Sequence, residues 1–331
     1  MSSIACCLHL RLRFCRAVLM CCWMFWTQMS SGIVLYDTDS PAVNTSAPTG
    51  FYQDSGWAYQ GRYGSFLGTM IGEQYFITAQ HFGLQGGTFV SGAEFNGTAD
   101  ITYMIDASAN GGQGFWDIAG TDLRVFKIQE SFSSWAPLYT GTDEVGKSLV
   151  VFGRGAPRGT EVTLGADLHG WYTGSSDGVA RWGANEVSSI IGTGLGDMLT
   201  AQFNAVSGQN EATLSTGDSG GGVFIKVGSQ WHLAGINYGV DGLFDTNSTP
   251  GDFSEFEAAL FDKGGFYEGS DGAGWTFNID TGVDKPTRFY ASRISSSLTE
   301  IQATMTPVPE PSGLLMLALA GMVGLSRRSR W

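Results

Sequence analysis

Beyond residue 22 this 331-residue sequence has no cysteine. All five, Cys6, Cys7, Cys15, Cys21 and Cys22, fall in the first 22 positions. A disulfide scaffold is thereby excluded for the rest of the chain. Proline is scarce, with 9 residues, and only 15% of residues are charged, which excludes a proline-rich spacer and a charge-rich disordered chain. Basic residues are few: 18 stand against 31 acidic ones, a formal net charge of −13. A nucleic-acid-binding surface needs a basic face, so no nucleic-acid partner is expected. Sustained helical periodicity is missing over most of the length, which excludes a coiled coil. What is present is 43% apolar residues, 13% aromatic residues and 48 glycines, the last about twice the usual share. Glycine and aromatics together favour short strands joined by tight turns.

The two ends read as addresses. Arg11, Arg13 and Arg16 precede an apolar run over 17–26 and the small patch Ser30-Ser31-Gly32. A basic start, a short apolar stretch and small residues outline a secretory signal peptide over 1–32, cleaved by signal peptidase near Gly32. The run is about half of what a bilayer span needs. Leu19-Met20 is too bulky for a lipoprotein cleavage before Cys21. At the other end, Thr306-Pro307-Val308-Pro309-Glu310-Pro311 is followed by an apolar stretch over 313–325, then Arg327, Arg328 and Arg330. A short transmembrane helix backed by arginines stops in a membrane with the arginines on the cytoplasmic side. Three of the basic residues lie before residue 33, and three more, with one acid, lie after 306. The segment 33–306 therefore holds 12 basic and 30 acidic groups, a net charge of −18. Such a surface is soluble and self-repelling, and a monomer is expected.

Between the ends, 66–71, 75–79, 123–128, 148–152, 222–227 and 231–236 are short, β-branched or aromatic, and bounded by Gly, Asp or Ser. This density predicts an all-β barrel or sandwich. One helical face is predicted over 290–305, with Ile294, Leu298 and Ile301 at i, i+4, i+7. Residues 240–286, with ten acids and two lysines, read as a long surface insertion. Its piece 245–252 has calcium-binding residue types without the spacing of a recognised calcium loop, so Ca²⁺ is the one candidate cofactor and otherwise none, and no metal, is expected.

The chemistry concentrates in three places. Gly217-Asp218-Ser219-Gly220-Gly221-Gly222 is a glycine turn that exposes a serine hydroxyl just before a strand. Backbone N–H groups of such a turn can receive an oxyanion. Ile77-Thr78-Ala79-Gln80-His81 puts a general base directly after a strand, and Asp122-Leu123-Arg124-Val125-Phe126-Lys127-Ile128 opens a strand with a carboxylate that can orient it. Asp117, in Trp116-Asp117-Ile118-Ala119-Gly120, competes for that role, but glycine and threonine follow it where a strand is required. His169 and His232 read as ordinary core or surface residues.

In the order His, Asp, Ser these segments resemble the chymotrypsin/trypsin family of serine peptidases, whose marks are Thr-Ala-x-His, Asp-(Ile/Leu)-x-Leu-x-Lys-Leu and Gly-Asp-Ser-Gly-Gly. The resemblance implies two six-stranded antiparallel β-barrels with a C-terminal helix, the site between them, and a catalytic triad of His81, Asp122 and Ser219. It implies an oxyanion hole from the N–H groups of Gly217 and Ser219. Gly235-Ile236-Asn237-Tyr238-Gly239 resembles the edge strand that pairs with substrate backbone. Residues 290–298 resemble the closing helix. Thr213, six positions before the serine, falls where the family sets the base of its specificity pocket, and Gly239 on the pocket wall. Thr213, Asn237, Tyr238 and Gly239 are thus the implied substrate-binding positions. The implied activity is peptide-bond hydrolysis through an acyl-enzyme, with a protein or peptide as substrate. The family's new N-terminus, Ile-Val-Gly-Gly, pairs its amine with the Asp before the nucleophile; here Ile33-Val34 is followed by Leu35-Tyr36. The tail resembles the PEP-CTERM sorting signal of biofilm-forming Gram-negative bacteria, implying an exosortase partner and a secreted or envelope location; an ordinary single-span anchor is the alternative. A non-catalytic surface or biofilm-matrix binding protein on the same fold is the other functional reading.

Overall fold

The structure, a computed structural model, describes residues 30–206 and 210–306. The cysteines, the apolar run at 17–26 and the tail from 307 lie outside the described residues. Among the described residues no helix is long and apolar enough to cross a membrane.

Two seven-stranded antiparallel sheets carry the fold. The first runs, in spatial order, Ile101–Met104, Thr88–Ser91, Gln60–Tyr63, Phe66–Gly72, Tyr75–Ala79, Leu123–Lys127, Phe115–Asp117. It curls until Ile105 bridges Ile128 across the far edge. The second runs Arg181–Glu186, Ser148–Gly153, Gly222–Val227, Gln230–Val240, Arg288–Arg293, Gly196–Gln202, Ser189–Thr193. Its two outermost strands are one bent stretch of chain. Val187 and Ser188 carry it from one edge to the other, the Ser188 N–H donating to the Thr200 carbonyl at 2.8 Å. Counted that way the second barrel has the six strands expected of it. The first has seven because Gly111, Gly112 and Gly114, all at positive φ, interrupt the chain between its edge strands.

Strict alternation explains how both faces of a strand are buried. Phe76 and Phe126 point into the first barrel, while Ile77, Leu123 and Val125 point out to the neighbouring one. Leu149, Val151, Val223 and Ile225 fill the second barrel, and Val150, Phe152 and Phe224 meet the first set between the two. Successive side chains of a strand leave opposite faces, so a period of two with both phases apolar builds three layers of core. The segments that carry His81, Asp122 and Ser219 end on the middle layer.

One expectation is corrected. The helix is Leu298–Met305, preceded by a 3₁₀ turn at Ser295–Ser297, and Arg288–Arg293 is a strand. Ala291 pairs with Leu199 on one side and Asn237 on the other. A central sheet position with partners on both sides overrides a helical period that only three apolar residues supported. Ile294 and Ile301, both fully buried, then pin the helix between the barrels.

The 240–286 insertion is a folded lobe. Phe244–Asp245, Tyr267–Ser270 and Gly274–Phe277 form a three-stranded sheet, and Ala258–Leu260 adds to the hairpin of Arg158–Leu164 and Asp167–Thr173. Val162, Phe244, Ala258, Leu260 and Phe266 make its own apolar core. Each fully buried phenylalanine there stabilises by about 2 kcal/mol.

Candidate active site

Asp122 is buried and receives two hydrogen bonds from one residue. The His81 backbone N–H donates to Oδ1 at 2.8 Å, and the ring Nδ1 lies 2.7 Å from Oδ2. A carboxylate only accepts, so Nδ1 carries the proton and Nε2 presents its lone pair. That lone pair faces the Ser219 hydroxyl, with Nε2 and Oγ 2.8 Å apart. The strands fix this geometry. Tyr75–Ala79 and Leu123–Lys127 are paired along their whole length, Ala79 opposite Leu123, and Gln80 N–H donates to the Asp122 carbonyl at 2.7 Å. His81 and Asp122 therefore leave one sheet edge together. Tyr238 and Phe82 flank the imidazole edge-on, at 5.5 and 5.8 Å between ring centroids.

Asp117 is elsewhere. Its carboxylate holds the buried Arg124 through two hydrogen bonds of 2.5 and 3.0 Å, and Arg124 stacks over Phe115 at 4.1 Å. A carboxylate engaged bidentately by a guanidinium is not available to an imidazole.

Ser219 sits on a turn built by its glycines. Gly217 has φ +99° and Gly220 φ +80°, and a Cβ on Gly220 would lie 2.3 Å from Thr78 Oγ1 and 2.4 Å from the Leu67 carbonyl. The turn must press against the first barrel to deliver Oγ to His81, and only glycine permits that. Asp218 anchors it from within. Its fully buried carboxylate accepts N–H bonds from Gly155 at 2.6 Å, Ser215 at 2.7 Å and Ile33 at 3.1 Å, plus the Ser215 hydroxyl at 3.2 Å. Burial, opposed by these donors, still pushes the Asp218 carboxyl above its usual range. Among the described residues, neither the Gly217 nor the Ser219 N–H donates to another backbone carbonyl, as an oxyanion hole requires.

The implied substrate positions divide. Tyr238 and Gly239 line a cavity of about 260 Å³ beside Ser219, and nothing lies within 4 Å of a Cβ added to Gly239. Asn237 does not face it. It is fully buried, and its carboxamide donates to the Phe152 carbonyl at 2.7 Å and the Asp218 carbonyl at 3.0 Å, so it braces the Ser219 turn from behind. Gly235 and Ile236 are interior to the sheet, paired on both sides; the strand has a free side only from the bulge at Tyr238 onward. Thr213 is also turned away, buried and paired with Val34. The cavity is closed instead by residues that sequence reasoning did not single out, Thr173 and the lobe residues Asp241, Leu243, Glu257 and Ala258.

His169 is buried with Nδ1 2.9 Å from the Asp262 carbonyl, and His232 stands outside the site, as expected. Among the described residues no group of three or more acidic, histidine or cysteine side chains is arranged to hold a metal, and the 245–252 segment closes on itself, Asp245, Asn247, Asp252 and Ser254 hydrogen-bonding one another.

No protein-family model matches the sequence, and no curated protein matches it. Among solved structures, the chain is similar to neuropsin, a serine protease expressed in the limbic system of mouse brain, at 14% identity and a TM-score of 0.44, over 76% of this chain and 96% of that one.

Proposed function

We propose that this chain is a serine endopeptidase that cleaves peptide bonds through an acyl-enzyme. The observation that carries the proposal is the hydrogen-bonded series Asp122–His81–Ser219, with ring contacts of 2.7 and 2.8 Å between residues up to 138 positions apart. Ser219 Oγ attacks the scissile carbonyl carbon while its proton passes to His81 Nε2. The oxyanion is received by the Gly217 and Ser219 N–H groups. The C–N bond breaks as His81 returns the proton to the departing amine, and water, deprotonated by the same imidazole, then releases the acyl group. Asp122 holds the tautomer and stabilises the imidazolium. The test is hydrolysis of unfolded casein by the purified protein, with loss of hydrolysis in a folded Ser219→Ala variant. Intact casein in the presence of the wild-type protein would return the chain to the non-catalytic surface-module reading.

Cleavage after Gly32 belongs to the same proposal. Ile33 is a β-branched residue at φ +67°, a strained conformation costing on the order of 1–3 kcal/mol, and its N–H already points at Asp218. A cut there removes the strained torsion and leaves an ammonium beside a buried carboxylate. Leu35 and Tyr36, in place of a flexible Gly-Gly, would anchor the new end. Val34–Leu35 pairs with Ala212–Thr213, and Tyr36 packs edge-on against Trp171 at 5.3 Å. N-terminal sequencing that finds a mature chain beginning elsewhere than Ile33 would end this part of the reading. The proposed location, secreted and sorted by the 307–331 tail, predicts that deleting the tail changes where the protein is retained.

A further inference from the structure

A buried carboxamide destabilises a core unless its polar atoms are paired. Asn237, fully buried behind the Ser219 turn, pairs only one end. Its Nδ2 group spends both hydrogens, on the Phe152 carbonyl at 2.7 Å and the Asp218 carbonyl at 3.0 Å. Its Oδ1 is buried and accepts no hydrogen bond among the described residues. The reverse orientation would set an oxygen against two carbonyls, so the place selects a double donor and tolerates an unmet acceptor. Gly221 leaves room for it: a Cβ there would lie 2.9 Å from Asn237 Nδ2 and 2.0 Å from the Phe152 carbonyl oxygen.

The Asp218 carbonyl shares one planar peptide with the Ser219 N–H, and in a trans peptide the two point in opposite directions. Apart from Asn237, that carbonyl accepts the Gly221 N–H of its own turn, at a long 3.3 Å. On the peptidase reading, on which this rests, we infer that Asn237 is a positioning residue for the oxyanion hole. By holding the Asp218 carbonyl in the core, its carboxamide turns the Ser219 N–H outward to the cavity that Gly217 and Ser219 line. The bonds from Gly155, Ser215 and Ile33 end on the Asp218 carboxylate and not on the 218–219 peptide. Asn237 alone ties that peptide to the strand Ser148–Gly153, through Phe152. A donor fixed in advance needs no reorganisation as negative charge develops on the substrate oxygen.

The test compares the full wild-type protein with Asn237→Leu, which keeps the volume and removes both donors, and Asn237→Ser, which keeps one hydroxyl donor. Active sites are counted by exhaustive fluorophosphonate labelling, and kinetics on one peptide substrate are expressed per labelled site. Asn237→Leu should lower kcat by about 100-fold with KM within about threefold, the signature of an interaction made in the transition state. Asn237→Ser should lose about tenfold. A peptidyl trifluoromethyl ketone, whose adduct with Ser219 carries an oxyanion, should bind more weakly by the same factor as kcat/KM falls in each variant. The matching peptidyl alcohol, which binds without forming an oxyanion, should keep its affinity. A purely structural role would lower the melting temperature and the number of labelled sites but leave kcat per site unchanged. That result, or a ketone and an alcohol weakened alike, would overturn the inference. Should Asn237→Leu not fold, Asn237→Ser decides by the same comparison. A wild-type protein that neither labels nor hydrolyses peptide defeats the peptidase reading and the inference with it.

Discussion

The Ser219 turn at 217–222 and the lobe at 240–286 border the same cavity, yet they are specified in different ways. In the turn each position answers a local demand. Gly217 and Gly220 hold backbone that side chains disfavour, Asp218 collects four donors, and Ser219 occupies the exposed corner. In the lobe the demands are distant. Glu257 reaches the cavity because Ala258–Leu260 pairs with a strand ninety residues earlier in the chain, and Phe244 and Phe266 bury against Val162. A short loop with fixed torsions tolerates little variation in sequence; a lobe held by side-chain burial can be built from many. The turn is therefore set by local sequence and the lobe by long-range packing.

Substitutions should separate the two. The largest effects belong to the triad: Ser219→Ala and His81→Ala should each lower kcat by about 10⁴-fold or more while the melting temperature stays within a few degrees. Asp122→Asn should approach the same loss, since the imidazole would lose the acceptor that fixes its tautomer. Asp117→Asn should do the opposite, sparing activity and destabilising by about 1 kcal/mol, because it removes the countercharge of a buried guanidinium whose partner is itself partly exposed. If denaturant titration and kinetics gave the reverse ranking of these two carboxylates, the assignment of roles would be inverted.

In the lobe, Phe244→Ala should cost about 3–4 kcal/mol of local stability by opening a cavity in a small core. Hydrogen exchange should quicken in 240–286 and the hairpin beneath it, while fluorophosphonate labelling of Ser219 persists. Labelling lost together with the lobe would mean that turn and lobe are one unit, and the contrast drawn above would fail.

A smaller, pH-dependent effect tests how the second barrel holds its N-terminal strand. Glu211 is buried, accepts the Asn204 N–H at 2.8 Å, and gives its carbonyl to Tyr36 N–H. Burial, reinforced by Asp37 and Glu186, pushes its carboxyl up to about 7. A raised folded pKa means the folded state holds the proton more tightly. Its contribution is complete below the ordinary value near 4.5 and is lost as pH rises through about 7. The loss amounts to about 3 kcal/mol between about pH 4.5 and pH 7, and Glu211→Gln should flatten that part of the stability profile. An unchanged slope between about pH 4.5 and 7 in the variant would assign the titration to another group.

The legible parts of the molecule were those with short-range causes. Tyr75–Ala79 and Gly222–Val227 follow from alternation and flanking turns, and the triad from three compact motifs. The strand Arg288–Arg293 overlaps the start of the helical face predicted over 290–305, because its strand character comes from two neighbours far away in sequence, and the lobe's strands are too short to show an alternating pattern. Asn237 falls among the substrate positions only through the resemblance of 235–239 to an edge strand, and one residue of register turns its side chain from the pocket that Tyr238 lines to the core.

The central claim is that Ser219 is an activated nucleophile. The direct measurement is to treat the folded protein with a fluorophosphonate probe and locate the adduct by peptide mass spectrometry. The account predicts one adduct, on the peptide carrying Ser219, abolished by His81→Ala and by prior heat unfolding. No adduct on the native protein, or equal labelling of Ser219 after unfolding, would contradict it.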